Sequence, residues 1–484
     1  MRILLTEAPF DYGESVVDLD RYFPLGIGYL AAYLRRHGHE VRIYTGGGGE
    51  EFRRELERFD PGWAGFSAMT SSFPNAVRMA RTVKEHSNAI TVVGGQHVSS
   101  VGPETLKLFP CFDFMVFGEG EETALELTRK LETGAKDFAG VQGIAYRTPF
   151  QVVQTPPRGL LQELDSYPPP ARDLVDLSLF GTHAHLRFGK YTASMVTSRG
   201  CPWHCTYCSS HVTMGRKYRQ HGTGYVADDI ERMLKDFGIT NFIFWDDVFT
   251  MSQKRIHEIC GEFIKRGLGG KITWYCLSRV DRIEEDDARI MKRAGCRMMS
   301  FGVESGSQYT LDRMKKQASL EGAIEAVGYC KKVGIRTQAT FILGFPWETP
   351  ALMQETIGFA KRLAPQIALF FSLVPYPGTE IWSLIPDEQK PKTLEDWGKF
   401  VANTRNPKSY IPGMSDAELK KIVRKAHLEF YLRPSQVWNM LRNLESPREF
   451  FSYAKSAVSL TYRAGREATK DAAASRKLAH GSTG

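Results

Sequence analysis

The sequence predicts an α/β protein in two sheet-based parts: a Rossmann-like N-terminal domain with a parallel sheet, then an open (β/α)6 barrel followed by a helical C-terminal region. Short apolar strands alternate with helical patterns in both halves, and the second half repeats that unit six times. Between the halves, Thr155-Pro156-Pro157 and Tyr167-Pro168-Pro169-Pro170 hold the backbone extended. A chain of 484 residues has room for several cores. The expected division is 1–145 for the first domain, 146–190 for a connector, 191–399 for the barrel, 400–462 for a helical cap and 463–484 for a polar tail.

Arg2 to Leu5 reads as the first strand, and the helix from Pro24 to Arg36 opens on proline and stops at Gly38. Glu40 to Tyr44 completes a βαβ unit. The pattern recurs as Ala64 to Ser67, a helix from about Asn75 to His86, Ile90 to Gly95, Asp113 to Gly118 and a helix from Glu121 to Leu131. A parallel sheet of this kind opens its ligand crevice at the strand C-termini, where Ser67, Gly94, Gly95 and Gly118 fall. Small residues there admit a large flat ligand or a phosphate, and tight turns alone demand some of the same glycines.

From Tyr191 the expected strands are Tyr191 to Val196, Ile239 to Trp245, Ile272 to Cys276, Arg297 to Val303, Arg336 to Leu343 and Ile367 to Val374. Helices run near Ala227 to Phe237, Gln253 to Lys265, Glu284 to Ala294, Leu320 to Val333 and Met353 to Leu363. Functional groups belong on the C-terminal rim of such a barrel. Beyond it, Asp416 to Arg433 and Pro434 to Leu441 read as helices around the pair Phe430-Tyr431.

The first barrel strand runs into Arg199-Gly200-Cys201-Pro202-Trp203-His204-Cys205-Thr206-Tyr207-Cys208. Three thiolates in one short loop leave one iron of a four-iron cluster open to a small molecule. The alternative is a structural zinc completed by His204 or His211, although zinc loops usually split their ligands into separated pairs. The remaining cysteines of the eight, Cys111, Cys260, Cys276, Cys296 and Cys330, sit in apolar or amphipathic segments and read as core residues. No residue declares itself a catalytic acid, base or nucleophile.

The CxxxCxxC loop resembles that of the radical S-adenosylmethionine (radical SAM) enzymes. The resemblance implies a 4Fe-4S cluster on Cys201, Cys205 and Cys208 that binds and cleaves S-adenosyl-L-methionine, yielding a 5'-deoxyadenosyl radical. It places Tyr207 near the adenine, Asp246 and Asp247 at the SAM amino group, and Arg279 at the SAM carboxylate. Phe301 to Gly306 resembles the fourth-strand motif, setting Glu304 and Ser305 near the ribose hydroxyls. Phe341 to Thr349, with Gly344, resembles the motif that lines the adenine pocket. Pro375-Tyr376-Pro377-Gly378-Thr379 is similar to the sixth-strand ending of the cobalamin-binding subgroup.

Pro24-Leu25-Gly26, Gly94-Gly95-Gln96-His97 and Asp113 through Thr123 resemble the cobalamin-binding domain that precedes the barrel in that class, which includes the BchE-like anaerobic cyclases. Cobalamin is therefore implied as the third cofactor. The Asp-x-His-x-x-Gly motif that ligates cobalt in methionine-synthase-like domains is absent, and a positioning role suits His97 better than cobalt ligation.

Two chemistries fit. In a methyltransferase, hydrogen is abstracted from an unactivated carbon of a small metabolite, methylcobalamin donates the methyl, and a second SAM restores it. The other is oxidative cyclisation or rearrangement. Both need a reductant such as flavodoxin or ferredoxin. The formal charge of +8 is spread along the chain and demands no nucleic acid. A methylthiotransferase would carry further N-terminal cysteines, and none precedes Cys111. A pure cobalamin sensor would leave the cysteine loop idle. No apolar run suggests a signal peptide or a membrane span, so a cytoplasmic enzyme is expected.

Overall fold

The computed structural model describes residues 1–10, 22–180, 191–401, 406–444, 447, 449–451 and 454. The first part of the chain runs β1 (Arg2–Glu7), α1 (Leu25–Arg36), β2 (Glu40–Tyr44), α2 (Glu50–Phe59), β3 (Trp63–Ser67), α3 (Phe73–His86) and β4 (Ile90–Gly94). It continues with α4 (Gln96–Val101), α5 (Glu104–Leu108), β5 (Phe114–Val116), α6 (Glu121–Glu132), β6 (Ile144–Arg147) and β7 (Val152–Gln154). These strands form one sheet in the order β2-β1-β3-β4-β5-β6-β7.

Alternate residues separate the two faces of this sheet. Ile3, Leu5, Trp63, Val92, Phe114 and Val116 pack with α1 and α6, whereas Leu4, Ala64, Phe66, Val93 and Met115 pack with α2 and α3. The strand order reverses between β1 and β3, so a crevice opens beyond their C-terminal ends.

The expected parallel sheet holds for β1 to β5. Its edge differs, because β6 and β7 add antiparallel. The turn between them closes locally through Thr148 N–H on Gln151 O at 2.8 Å, and a short hairpin imposes antiparallel pairing. The stretch expected to be connector thus begins as a sheet edge. Helix α2 also escaped the sequence pattern, since only Phe52, Leu56 and Phe59 are buried among its charged residues.

The second part opens with β8 (Thr192–Met195) and a two-residue ladder, β9 (Ser198–Arg199) with β10 (Arg219–Gln220), which brackets the cysteine loop and α7 (Ser210–Met214). Then follow α8 (Thr223–Phe237), β11 (Asn241–Phe244), α9 (Gln253–Lys265), β12 (Thr273–Ser278), α10 (Glu285–Arg293) and β13 (Cys296–Glu304). The barrel ends with α11 (Gln308–Arg313), α12 (Leu320–Lys332), β14 (Arg336–Leu343), α13 (Pro350–Leu363) and β15 (Ile367–Ser372). Six strands pair in parallel in the order β8-β11-β12-β13-β14-β15, each beside its neighbour in sequence.

After the barrel come α14 (Glu380–Ser383), α15 (Leu394–Lys399), α16 (Asp416–Tyr431) and α17 (Pro434–Arg442). The first long helix of the expected cap belongs to the barrel, and α15, at the end of the range expected for the barrel, leaves it. Leu419, Val423, Ala426 and Phe430 of α16 join the barrel core, and Tyr431 exchanges hydrogen bonds with both backbone groups of Ala368 on β15. This helix is the outer layer of the last strand. The segment around α15 crosses instead to the first domain, where Trp397 meets His97 edge-on at 4.9 Å. Most of 452–462 and all of 463–484 lie outside the described residues. Among the described residues, no helix is long and apolar enough to cross a membrane.

The connector is fastened by a buried ion pair. Arg172 donates to Asp229 of α8 at 2.9 Å and to Ser194 O of β8 at 2.8 Å, and both charged side chains are almost wholly buried. Arg172→Ala would leave the buried Asp229 carboxylate with only the half-exposed Arg232 as a charged partner among the described residues, so a loss of about 1–3 kcal/mol is expected. Thermal unfolding of the protein without cofactors checks this; a shift no larger than that of an exposed Arg35→Ala control would count against it.

Candidate cofactor site between the two domains

Several backbone contacts staple the cysteine loop before any metal binds. Gly200 has φ +87°, and a Cβ there would run into the backbone of Lys217, so the position preceding Cys201 excludes side chains. Cys201 N–H donates to Gly215 O at 3.4 Å, Thr206 N–H to Met314 O at 3.0 Å, and Cys208 N–H to Cys205 O at 3.2 Å. All three thiols are free and partly exposed, whereas the other five cysteines are buried. Burial raises the Cys201 thiol and pushes Cys208 up to about 12.

The donor set suits a cluster better than zinc. His211 has its Nδ1 3.1 Å from Cys208 O, and His204 is exposed. Among the described residues, no three or more His, Cys, Asp or Glu side chains converge on a single-ion position. Three soft sulfur donors in one stapled loop, with no fourth protein ligand among the described residues, match a cluster held through three of its irons.

Neighbouring residues paired in the sequence part company around this loop. Asp246 is buried and accepts from Thr197 N–H at 3.0 Å, from Thr197 Oγ1 at 2.7 Å and from Ser198 Oγ, so it braces the strand that enters the loop. Asp247 faces the interdomain cavity and accepts from Ser210 Oγ at 2.6 Å. Burial raises both carboxyls. Arg279 gives Nε to Asp281 at 2.8 Å and Nη2 to Lys316 O at 2.6 Å. Its Nη1 lies 4.0 Å from Cys205 Sγ, and its guanidinium covers the Trp203 ring at 4.3 Å. Most of its donors thus close the loops around Cys205, and Nη1 alone has no oxygen partner.

Glu304 ends β13 with φ +70°, just past a register shift against β14. That conformation is costly for a glutamate and sets its carboxylate 3.1 Å from Lys316 Nζ, which is 3.3 Å from Tyr207 OH. Glu304, Tyr207, Thr340, Ile342, Phe371 and Tyr376 line a cavity of about 180 Å³. Ser305 does not join them; its Oγ is buried 3.1 Å from Thr356 Oγ1 and accepts from Ser307 N–H. Gly344, at φ +101°, is a turn glycine under Leu419. Its N–H and that of Phe345 donate to Glu348 at 2.8 and 3.0 Å, and burial raises the Glu348 carboxyl to about 7. Lys316 escaped the sequence reading and Glu348 entered it only within the Phe341 to Thr349 stretch, since nothing local marks a lysine or a turn carboxylate as buried.

A cavity of about 340 Å³ opens where the first sheet meets the cysteine loop, with Ser67, Gly94 and Gly118 on one wall and Val196, Thr213 and Asp247 on the other. A Cβ on Gly94 would meet nothing nearer than Val116 O at 3.6 Å, so a larger side chain would enter the cavity, whereas one on Gly118 would meet nothing nearer than Thr213 O at 3.8 Å but would sit on a left-handed φ of +68°. Gly95 also borders it, yet its reason is different: at φ +98° its Cβ would lie 2.8 Å from Ala68 O. His97 is outside the lining. Its ring packs on Phe73 at 4.1 Å and Nδ1 lies 3.3 Å from Thr70 Oγ1, and burial lowers it to about 3, leaving it neutral. Among the described residues no histidine lines the cavity. The small residues on this wall fit a large flat group such as cobalamin.

Buried charges lock the two walls together. Arg199 donates to Glu119 and Glu121 at 2.8 Å each, and Arg219 donates to Glu119 at 2.6 Å. Glu119 also accepts from Leu161 N–H at 3.0 Å. The two glutamates belong to the stretch after β5 that lines the cavity, and Arg199 stands two residues before Cys201. Tyr29 of α1 lies under the Arg199 guanidinium at 5.1 Å and beside His221 at 6.3 Å.

Glu119→Gln should loosen this junction more than Glu121→Gln, because Glu119 serves both arginines. Hydrogen exchange over residues 118–121 and 199–220 reads the difference, and equal protection in both variants would contradict it. Gly94→Val should weaken cobalamin binding about tenfold or more without lowering the melting temperature. Gly95→Ala should lower the melting temperature itself, by the cost of a left-handed alanine and a backbone clash, roughly 1–3 kcal/mol. Cobalamin titrations and thermal unfolding of both variants separate the two roles.

Comparison with known proteins agrees with this arrangement. Residues 195–360 match the family described as Radical SAM superfamily, and residues 19–128 match the B12 binding domain. The chain is 34% identical over 439 residues to an uncharacterized methyltransferase of Pyrococcus horikoshii, covering 90% of this chain and 93% of that one. It is 29% identical over 443 residues to the anaerobic magnesium-protoporphyrin IX monomethyl ester cyclase of Rubrivivax gelatinosus, covering 89% of this chain and 78% of the cyclase. In fold it is similar to the radical SAM methyltransferase TsrM from Kitasatospora setae, solved with cobalamin and a [4Fe-4S] cluster, with a TM-score of 0.67, 18% identity and coverage of 90% and 89%. A sheet with a glycine-rich strand-end cradle, a barrel whose first strand leads into a loop with three free cysteines and these matches along nearly the whole length lead to one conclusion: the chain belongs to the cobalamin-binding radical SAM enzymes.

Proposed function

We propose that this protein is a cobalamin-dependent radical SAM methyltransferase that methylates an unactivated carbon of a small organic metabolite. The observation that supports the reading is one cavity bordered both by the strand ends of the first sheet and by Ser198, Arg199, Thr213 and Met214, which flank the cysteine loop in the chain. Bound together, a reduced four-iron cluster, S-adenosylmethionine and methylcobalamin supply a hydrogen-abstracting carbon radical and a transferable methyl group.

This chain's own residues supply positioning. Cys201, Cys205 and Cys208 hold the cluster, with the Arg279 guanidinium beside Cys205. Tyr207, Lys316 and Glu304 form a buried polar set that orients the nucleoside end of SAM. Asp247 carries a carboxylate between the loop and the cobalamin wall, where an ammonium group can be met. Trp382, Trp397 and Phe400 pack together at 5.8 to 6.1 Å, and Trp397 joins them to His97 of the first domain at 4.9 Å. Electrons come from a flavodoxin- or ferredoxin-class donor.

Oxidative cyclisation is the second reading, favoured by the likeness to the Rubrivivax cyclase. Anaerobic incubation with methyl-labelled SAM, cobalamin, reductant and candidate metabolite extracts decides between them. Label in a product, together with deoxyadenosine and S-adenosylhomocysteine, is the expected result. An unlabelled product lighter by hydrogen or bearing a new ring would replace the methyltransferase with the cyclase.

A further inference from the structure

Glu7 stands where the sheet would be expected to place another apolar side chain. Ile3 and Leu5 of β1 face the core under α1 and α6, and strand alternation puts Glu7 on that same face. Parallel pairing sets Glu7 opposite Ser67, and Ser67 opposite Gly94. The carboxyl therefore begins the row of strand ends, Glu7, Ser67, Gly94 and Gly118, that floors the interdomain cavity, and it does so at the β1/β3 crevice.

Four carboxylates border this cavity: Glu7, Glu119, Glu121 and Asp247. Glu119 and Glu121 are held by Arg199 and Arg219, and Asp247 by Ser210. No described group donates to Glu7, and only burial acts on its acidity, raising the carboxyl to about 7. Leu5, Ile27, Trp63 and Val92 are apolar members of the same cavity lining. Glu7 is half-buried rather than sealed, so its carboxyl borders the cavity where a ligand donor can reach it.

We infer that Glu7 is a cobalamin-recognition residue, its carboxylate accepting a hydrogen bond from a carboxamide N–H on the periphery of the corrin. The inference rests on cobalamin occupying this cavity. The cofactor is ringed by neutral amides, and a carboxylate acceptor makes such a bond charge-assisted. Binding then favours the ionised form of Glu7, so affinity rises as pH rises through about 7. The other titratable or charged groups facing the cavity are Tyr29 on α1, Glu119 and Glu121 before and in α6, Arg199 on β9 and Asp247 after β11.

The test is hydroxocobalamin titration, followed by absorbance, of the full chain at pH 6 and pH 8. Wild type should bind more tightly at pH 8. Glu7→Ala should bind about tenfold more weakly at pH 8, and Glu7→Gln, which keeps the shape and an acceptor, should lose the pH dependence. Unchanged affinity in Glu7→Ala, or a pH dependence that survives in Glu7→Gln or runs the other way in wild type, would overturn the assignment. Cobinamide keeps the corrin carboxamides and lacks the nucleotide; an equal Glu7→Ala effect with it supports the corrin amide, and loss of the effect would overturn it in favour of a donor on the nucleotide. If Glu7→Ala fails to fold, the Glu7→Gln pH comparison still decides. Failure of wild type to bind cobalamin at all would instead remove the cofactor reading on which this one stands.

Discussion

Arg199 and Arg219 are buried where two domains meet, and the charges that make this tolerable come from Glu119 and Glu121 on the opposite domain. Removing one partner of such a set leaves an uncompensated buried charge, at a cost of about 3–5 kcal/mol. A well-packed apolar interface could hold the domains equally firmly. What the charges add is register, because planar guanidinium groups meeting fixed carboxylates allow little sliding. The glutamates border the cobalamin cavity and Arg199 leads into Cys201, so the register being fixed is that of one cofactor site against the other.

The same logic shapes the cysteine loop. Asp246 holds Thr197 and Ser198 from below, the β9–β10 ladder holds them from the side, and Gly200 makes the turn that a side chain would block. Arg279 ties the loop of Lys316 and Gln317 to Cys205, and Lys316 in turn reaches Glu304 and Tyr207. The thiols are thus presented by hydrogen bonds that do not depend on iron. Radical chemistry needs a substrate carbon held at a fixed distance from its partners, and a prepared scaffold lowers the cost of holding it there.

Contacts outside the barrel add to its core and tie it to the first domain. Helix α16 widens the barrel's own core, while the aromatic group of Trp382, Trp397 and Phe400 reaches back to His97 and Phe73 of the first domain. His97, buried and neutral, is thereby a packing element between the two domains rather than a group directed at the cavity.

The sequence by itself determined the elements that depend on local pattern. Period-2 and period-3.6 spacing located the strands and helices of both sheets, and three cysteines in eight residues specified a metal-cluster loop. Local pattern failed in three ways. It passed over α2 and the β6–β7 hairpin, where a narrow apolar stripe or a very short strand gives little periodic signal. It also treated adjacent residues as pairs: Gly94 with Gly95, Asp246 with Asp247, Glu304 with Ser305. In each pair a single turn of the backbone sends one residue to a cavity or its rim and the other into a structural contact, so only the tertiary structure could assign them. And it had no means of singling out Lys316, Glu348 or the lone carboxyl of Glu7, because whether a charge is buried, and whether a donor reaches it, depends on residues brought together from elsewhere in the chain.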